Sequence, residues 1–187
     1  MNSNWSIDEL QDIWQLATKL HNGQKYGGNE KDEQVEYINH IGSVTFEMLK
    51  AIEVDTKLDP DLSIKCAVLH DTIEDTGLTE EEVVDRFGET VANGVLALTK
   101  KELDVSVKDK MLDSLIRIKL QPKEVWAVKL ADRICNLYAP PFYWTKDRMK
   151  EYQEEAKLIH HELKDGSDYL ANRLLEKIEK YQSFINE

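Results

Sequence analysis

The segment Val68-Leu69-His70-Asp71-Thr72-Ile73-Glu74-Asp75 places four titratable side chains in a stretch that is otherwise apolar enough for a protein core. In a helix, Glu74 would lie one turn after His70 and Asp75 one turn after Asp71, so each pair would project from one face. Two carboxylates in a last helical turn oppose the helix dipole, which favours cations there. A bound divalent metal ion would compensate this charge. The alternative is a hydrogen-bonded core histidine followed by a solvated acidic helix end.

Outward from this segment, the chain is predicted to form one helix after another. Capping boxes at Ser6/Glu9 and Thr79/Glu82 and the Asp59-Pro60 pair mark three of the helix starts, and apolar residues then recur at helical spacing. The predicted helices cover about residues 7–23, 35–52, 60–74, 80–88, 91–100, 104–120, 122–137, 146–164 and 168–185, and the clearest loops are 27–34 and 139–143. The period-two alternation of a sheet is absent apart from short ambiguous runs. We therefore predict an all-α helical bundle that forms a single domain over residues 1–187.

The composition excludes several classes of partner. The chain has 24 Lys and Arg residues against 36 Asp and Glu residues, which gives a formal net charge of −12. Because so acidic a surface repels phosphate polymers, we expect no binding to nucleic acid or to anionic membranes, whereas a small phosphorylated nucleotide is compatible if a metal or local cations offset its charge. No apolar run approaches the roughly 18 residues of a membrane span. Cys66 and Cys135 are isolated, which is typical of reduced thiols in a cytoplasmic protein.

Two further polar residues favour the metal interpretation. His40 lies within an apolar helical stripe, and alone it would be typical of a core or boundary histidine. Asp132 lies on the helix side that Val128 occupies, where a lone aspartate is more often paired with an arginine. Two imidazoles and two carboxylates from three predicted helices suit one hexacoordinate divalent ion, such as Mn²⁺ or Fe²⁺, whereas zinc usually takes fewer ligands. This candidate set is His40, His70, Asp71 and Asp132.

Three motifs follow one another along the chain. They are Tyr37-Ile38-Asn39-His40, Leu69-His70-Asp71-Thr72-Ile73-Glu74-Asp75-Thr76, and Lys129-Leu130-Ala131-Asp132-Arg133 with Asn136. In this order they resemble the HD superfamily of metal-dependent phosphohydrolases, and in particular the hydrolase domain of the RelA/SpoT homologues in its small stand-alone form, which includes metazoan SpoT-like members. Ala17 to Gln24 and the segment from Tyr143 to Tyr152 extend the resemblance. An HD dipeptide alone is a weak signal, but HDxxED between YIxH and KLADRxxN is a specific one.

The resemblance implies an HD-domain helical bundle and a role for each matching residue. The metal ligands would be His40, His70, Asp71 and Asp132, and the ion would most readily be Mn²⁺. Glu74 and Asp75 would form the catalytic acidic pair. The substrate would be bound by Asn136 near the ribose, by Lys100, Arg148 and Tyr152 around the nucleotide, and by Tyr26 near the base. The implied reaction is hydrolysis of the 3′-pyrophosphate of the guanosine alarmones (p)ppGpp, the nucleotides of the stringent response, to GDP or GTP and pyrophosphate.

This chain departs from the family pattern beside the expected base site. Tyr26 stands where the family usually has an arginine that packs on guanine, and residues 29–34 lengthen the loop that follows. A tyrosine keeps a stacking face but lacks a fixed positive charge and a fork of donors. Ile41 replaces a usual proline and Cys135 a frequent histidine, and neither belongs to the expected ligand set.

Three functions compete on this sequence. The first is alarmone hydrolysis, without a synthetase activity because the chain has no room for that domain. The second is an HD phosphohydrolase that acts on another nucleotide or on NADPH, which the altered region around Tyr26 keeps open. The third is a non-enzymatic module that binds a nucleotide and signals. The intact Glu74-Asp75 pair argues against the third, because a protein that only binds needs no acidic pair.

Overall fold

The computed structural model describes residues 5–27, 30, 33–100 and 107–186. Helices dominate this part of the chain, so the predicted all-α class is confirmed. The helices are α1 (Ile7–Leu20), α2 (Ile38–Val54), α3 (Pro60–Leu69), α4 (Thr72–Asp75), α5 (Glu80–Phe87), α6 (Glu89–Leu98), α7 (Val107–Lys119), α8 (Lys123–Asn136), α9 (Lys146–Leu163) and α10 (Asp168–Asn186). A 3₁₀ turn, Lys164–Gly166, joins α9 to α10. The predicted helix over residues 104–120 corresponds to α7, and its predicted start at residue 104 lies outside the described residues.

The predicted helix starts are confirmed where a side chain caps the backbone. Ser6 accepts from the Glu9 amide, Asp59 caps α3 with Pro60 in its first turn, and the Thr79/Glu82 capping box is complete. Each of these contacts satisfies amide groups that a helix N-terminus leaves without an intrahelical partner. Pro122 differs from the prediction by one position, because it is the N-cap residue of α8 and not its first helical residue.

A small hairpin frames the predicted loop at residues 27–34. Strand β1 (Lys25–Gly27) pairs antiparallel with β2 (Gln34–Glu36), so that Tyr26 lies opposite Val35. The prediction of loop alone was therefore wrong at both edges of this segment, and α2 begins at Ile38 and not near residue 35. Strands of three residues are too short to give a recognisable alternation in sequence, which explains the omission.

The predicted helix from Pro60 to about Glu74 is broken in the middle, which corrects the sequence analysis. Helix α3 ends at Leu69, and α4 starts only at Thr72. The Thr72 hydroxyl donates to the carbonyl of Leu69 at 2.7 Å, and Nδ1 of His70 lies 2.8 Å from the carbonyl of Ala67. These side chains compete with backbone amides for the last carbonyls of α3 and stabilise the break. His70 and Asp71 consequently lie at a corner between two helices.

Helix α8 is the central element of the core. It packs against α2, α3, α9 and α10, and it is buried along nearly its whole length. Its apolar side chains, such as Leu130 and Ile134, are fully buried, and the charged residues Lys129, Asp132 and Arg133 are more than nine-tenths buried. A helix that is buried on all sides holds its polar residues in fixed positions, so α8 presents these three charges inside the protein. None of the described helices is long and apolar enough to cross a membrane.

We predict that Gly166→Ala destabilises the protein, because this glycine lets the α9–α10 turn lie directly on α8. A Cβ added at Gly166 would lie 2.7 Å from Cβ of Trp126 and 3.1 Å from the backbone nitrogen of Ala127. Overpacking of this kind costs about 1–3 kcal/mol. The measurement is the urea midpoint of unfolding. Gly77→Ala is the matched control, since its added Cβ would meet nothing within 4 Å. Equal midpoints for the two variants would contradict the close packing.

Candidate active site

One cavity of about 560 Å³ gathers the predicted site residues. The break between α3 and α4, the start of α2, and helices α8 and α9 all contribute to its wall. All predicted site residues except Tyr26 line it, namely His40, His70, Asp71, Glu74, Asp75, Lys100, Asp132, Asn136, Arg148 and Tyr152. Residues that are up to 112 positions apart in the chain, from His40 to Tyr152, therefore share one space.

The four candidate metal ligands lie together at the bottom of this cavity. One ligand atom each from His40, His70 and Asp132 lies within 4.8 Å of the other two. Nε2 of His40 is 3.4 Å from Oδ1 of Asp132 and 3.7 Å from Oδ2 of Asp71. Nε2 of His70 is 2.9 Å from the same Asp71 oxygen. The donor atoms thus converge from α2, from the α3–α4 corner and from α8.

The chemistry of this donor set fits a divalent cation. The contact of His70 Nδ1 with the Ala67 carbonyl fixes the ring and leaves Nε2 as the free nitrogen. That Nε2 is buried and has no aligned hydrogen-bond partner in the described part of the chain, although Asp71 is close. Burial opposes ionisation of Asp132, but the Lys129 ammonium and the two imidazoles hold the pKa of this carboxyl well below its usual range. Two ionised carboxylates and two imidazoles therefore suggest a divalent metal site.

Neighbouring side chains orient the two carboxylates. Lys129 Nζ donates to Oδ2 of Asp132 at 2.8 Å, and the Asn136 amide donates to Oδ1 at 2.5 Å. The Tyr37 hydroxyl donates to Oδ2 of Asp71 at 2.6 Å. Burial and the Asp71 carboxylate strongly raise the pKa of Tyr37, so its hydroxyl remains a donor. The sequence analysis named Tyr37 only as the first residue of the Tyr37-to-His40 motif and gave it no role, because an aromatic residue at helical spacing gives no sign of where its hydroxyl points.

The acidic pair occupies the short helix α4. Both carboxylate oxygens of Glu74 accept bonds from Lys100, one from its backbone amide at 2.6 Å and one from Nζ at 2.8 Å. Lys100 therefore lines the cavity as predicted, but its ammonium is paired with Glu74. Burial, together with the carboxylates of Asp71 and Glu74, raises the pKa of Asp75. The two acids thus differ: Glu74 is held by a cation, whereas the pKa of Asp75 is raised by its surroundings.

Helix α9 contributes the cationic and aromatic part of the wall. Nη1 of Arg148 lies 3.0 Å from Oε1 of Glu155, and the guanidinium of Arg133 lies over the Tyr152 ring at 4.1 Å from its centroid. Arg148 and Tyr152 were predicted site residues. Glu155 was not, because an acidic residue on an amphipathic helix has the same pattern as a solvated face.

Tyr26 lies in a second cleft, which adjoins the cavity. This cleft has a volume of about 610 Å³ and shares four wall residues with the cavity, namely Tyr37, His40, Asn136 and Tyr152. The Tyr26 hydroxyl accepts a bond from the Asn39 amide at 2.7 Å. The rings of Tyr138, Tyr143 and Trp144 also line the cleft, and no Lys or Arg is among its described lining residues. The predicted site is thus divided between a charged cavity and an aromatic cleft that adjoin at Tyr37.

Comparisons with known proteins agree with this geometry. The chain is 28% identical over 170 residues to the guanosine-3′,5′-bis(diphosphate) 3′-pyrophosphohydrolase MESH1 of Xenopus tropicalis, covering 85% of this chain and 87% of that protein. It is 39% identical over 119 residues to the GTP pyrophosphokinase rsh of Brucella ovis, which is 61% of this chain. The chain spans only 15% of the length of that Brucella protein.

A solved structure and a family model complete the comparison. The solved structure, of a metazoan orthologue of SpoT that hydrolyses ppGpp, superimposes with a TM-score of 0.77 at 22% identity, covering 95% of this chain and 97% of the other. At this identity the likeness concerns the fold. The HD domain model matches residues 14–174, which include all four candidate ligands and the acidic pair. A match over most of the sequence, with the histidines and aspartates gathered in one cavity, shows that the chain belongs to the HD domain family.

Proposed function

We propose that this protein is a metal-dependent phosphohydrolase that removes the 3′-pyrophosphate of (p)ppGpp. The observation that carries the proposal is the convergence of four candidate metal-ligand side chains beside an acidic pair in one cavity that also holds cations. The names of the relatives support the same reaction, since the Xenopus protein is called a 3′-pyrophosphohydrolase and the solved orthologue hydrolyses ppGpp.

The metal would be held by His40, His70, Asp71 and Asp132. We propose Mn²⁺, because mixed imidazole and carboxylate donors with positions left for substrate suit it. The chemistry supplied by such an ion is a lowered pKa for water and neutralisation of charge on a phosphoryl oxygen. Lys129, Asn136 and Tyr37 hold the two carboxylates in place through the hydrogen bonds described above.

The acidic pair would perform the proton transfer. Asp75, whose pKa is raised by burial and by neighbouring carboxylates, would accept the proton of the attacking water. Glu74, held at both oxygens by Lys100, would orient that water. The water oxygen bonds to the phosphorus next to the ribose, the bond from that phosphorus to the 3′ oxygen breaks, and the proton passes to the 3′ oxygen. The products are pyrophosphate and GDP from ppGpp, or GTP from pppGpp.

The remaining residues would bind the nucleotide. Asn136 lines both the cavity and the aromatic cleft, which suits a contact near the ribose. Lys100, Arg148 and Tyr152 would lie along the phosphates, and Tyr26 would border the base in the aromatic cleft. Because the described wall of this cleft is aromatic and lacks Lys and Arg, stacking rather than charge would hold the base there.

We predict that His70→Ala removes the bound metal and the activity together, because it deletes a donor from the centre of the cluster. Metal content after dialysis against Mn²⁺, measured by elemental analysis, is the readout beside turnover. His161→Ala is the control, since that histidine has a 76% exposed side chain. A His70→Ala variant that keeps stoichiometric metal would contradict the ligand assignment.

We predict that Glu74→Gln and Asp75→Asn each lower kcat by about 10² to 10⁴, the usual contribution of a positioned acid or base. Metal content should change little, since neither residue is in the proposed ligand set. Steady-state kinetics and elemental analysis of the same preparations provide the two readouts, with the exposed Glu80→Gln as the control. Loss of metal without a separate catalytic defect would make these acids ligands or structural residues instead.

We predict cleavage of guanosine alarmones with looser base discrimination than an arginine at position 26 would give. The test is a Mn²⁺-supplemented panel of ppGpp, its adenine counterpart, NADPH and common nucleotides, with products identified and kcat/KM compared for the wild type and Tyr26→Arg. The arginine should raise the preference for guanine, because it adds a fork of donors.

Two results of this panel would contradict the proposal. Release of phosphate from NADPH or another nucleotide, without cleavage of either alarmone, would assign the protein to a different phosphohydrolase activity. A strong guanine preference that Tyr26→Arg leaves unchanged would show that Tyr26 does not border the base.

A further inference from the structure

Arg133 is a buried cation whose hydrogen-bonding capacity is largely unused. The residue is 5% exposed, and its Nε and Nη1 have no partner among the residues that the structure describes. Its closest carboxylate is that of Glu155, where Nη2 and Oε2 are 3.5 Å apart. Leaving buried guanidinium donors unpaired is costly, so a fold that places Arg133 at a cavity wall indicates an absent anionic partner.

Glu155 is shared between two guanidinium groups. Its Oε1 lies 3.0 Å from Nη1 of Arg148, while its Oε2 lies at the longer distance from Arg133. Three other acids of the cavity have partners of their own: Lys100 holds Glu74, Lys129 holds Asp132, and Tyr37 and the histidines hold Asp71. One partly buried carboxylate therefore serves two arginines on the α9 side of the cavity, and the second acid near Arg148, Glu151, is largely exposed to solvent.

The Tyr152 ring brings the two arginines together. The Arg133 guanidinium carbon is 4.1 Å from the ring centroid and that of Arg148 is 5.5 Å from it. A guanidinium stacked on an aromatic ring keeps its in-plane N–H donors available, and two such groups match the oxygens of a phosphate better than those of a single carboxylate. Both arginines also line the cavity that holds the candidate metal ligands.

We propose that Arg133 and Arg148 form a phosphate subsite, and that Glu155 is an internal counter-ion which a phosphate group of the ligand displaces. If the proposed function holds, on which the identity of this ligand rests, the subsite takes a phosphate other than the one attacked at the metal. Glu155 then competes with the substrate: it neutralises the arginines in the free protein and lowers affinity for polyphosphate. Arg133 becomes a substrate-binding residue, and Glu155 sets how tightly the nucleotide is held.

This arrangement predicts that removal of one site residue's charge strengthens ligand binding instead of weakening it. Glu155→Gln removes the competing charge but keeps the side-chain size, so it should tighten the binding of inorganic pyrophosphate to the Mn²⁺-loaded protein by about three- to tenfold. Glu151→Gln is the matched control: Glu151 also contacts Nη1 of Arg148, at 3.4 Å, but its side chain is 69% exposed. The control changes the net charge equally, and it should shift the dissociation constant by less than about twofold.

Calorimetric titration with pyrophosphate needs no turnover, so it remains informative even if (p)ppGpp is not hydrolysed. Arg133→Gln should weaken binding at least about tenfold, with Arg133→Lys between it and the wild type. Circular dichroism establishes that each variant is folded. Parallel kinetics on ppGpp should give a lower KM for Glu155→Gln.

Weaker or unchanged pyrophosphate binding in Glu155→Gln, or equal tightening by Glu151→Gln, would overturn the proposal. Absence of ppGpp hydrolysis alone would contradict only the proposed function.

Discussion

The convergence of two imidazoles and two carboxylates at one buried point is the constraint on which the rest of this structure depends. Charges of this kind are costly to bury unless they are paired or bind a cation. The fold meets this cost with Lys129, Asn136 and Tyr37, each of which donates to one of the two carboxylates. The break between α3 and α4 serves the same end, because it places His70 and Asp71 at a corner facing α2 and α8.

Much of this arrangement could be predicted from sequence. Helix starts with a capping side chain were predictable because the capping contact is local. The clustering of the four candidate ligands was predictable for a different reason: polar residues in apolar helical stripes are rare without a function, and their order resembles a known family. The aromatic cleft around Tyr26, by contrast, depends on how the hairpin lies against α2, which no local pattern specifies.

The features that sequence reasoning missed arise from side-chain direction and from long-range pairing. The motif that contains Tyr37 gave its hydroxyl no role, and only the fold shows that this hydroxyl reaches Asp71, 34 residues away. The helix break at His70 depends on side-chain bonds to the carbonyls of α3, which compete with a strong helical pattern. Glu155 has the pattern of a solvated residue, and only tertiary packing brings it to Arg133, 22 residues away.

The central claim is that these four side chains bind a single divalent ion. Anomalous diffraction from a crystal grown with Mn²⁺ tests it most directly, because the anomalous signal locates manganese independently of any activity. The account predicts one strong anomalous peak per chain, within coordinating distance of Nε2 of His40, Nε2 of His70 and the carboxylates of Asp71 and Asp132. A peak at another position, or no peak in this cavity at saturating Mn²⁺, would contradict it.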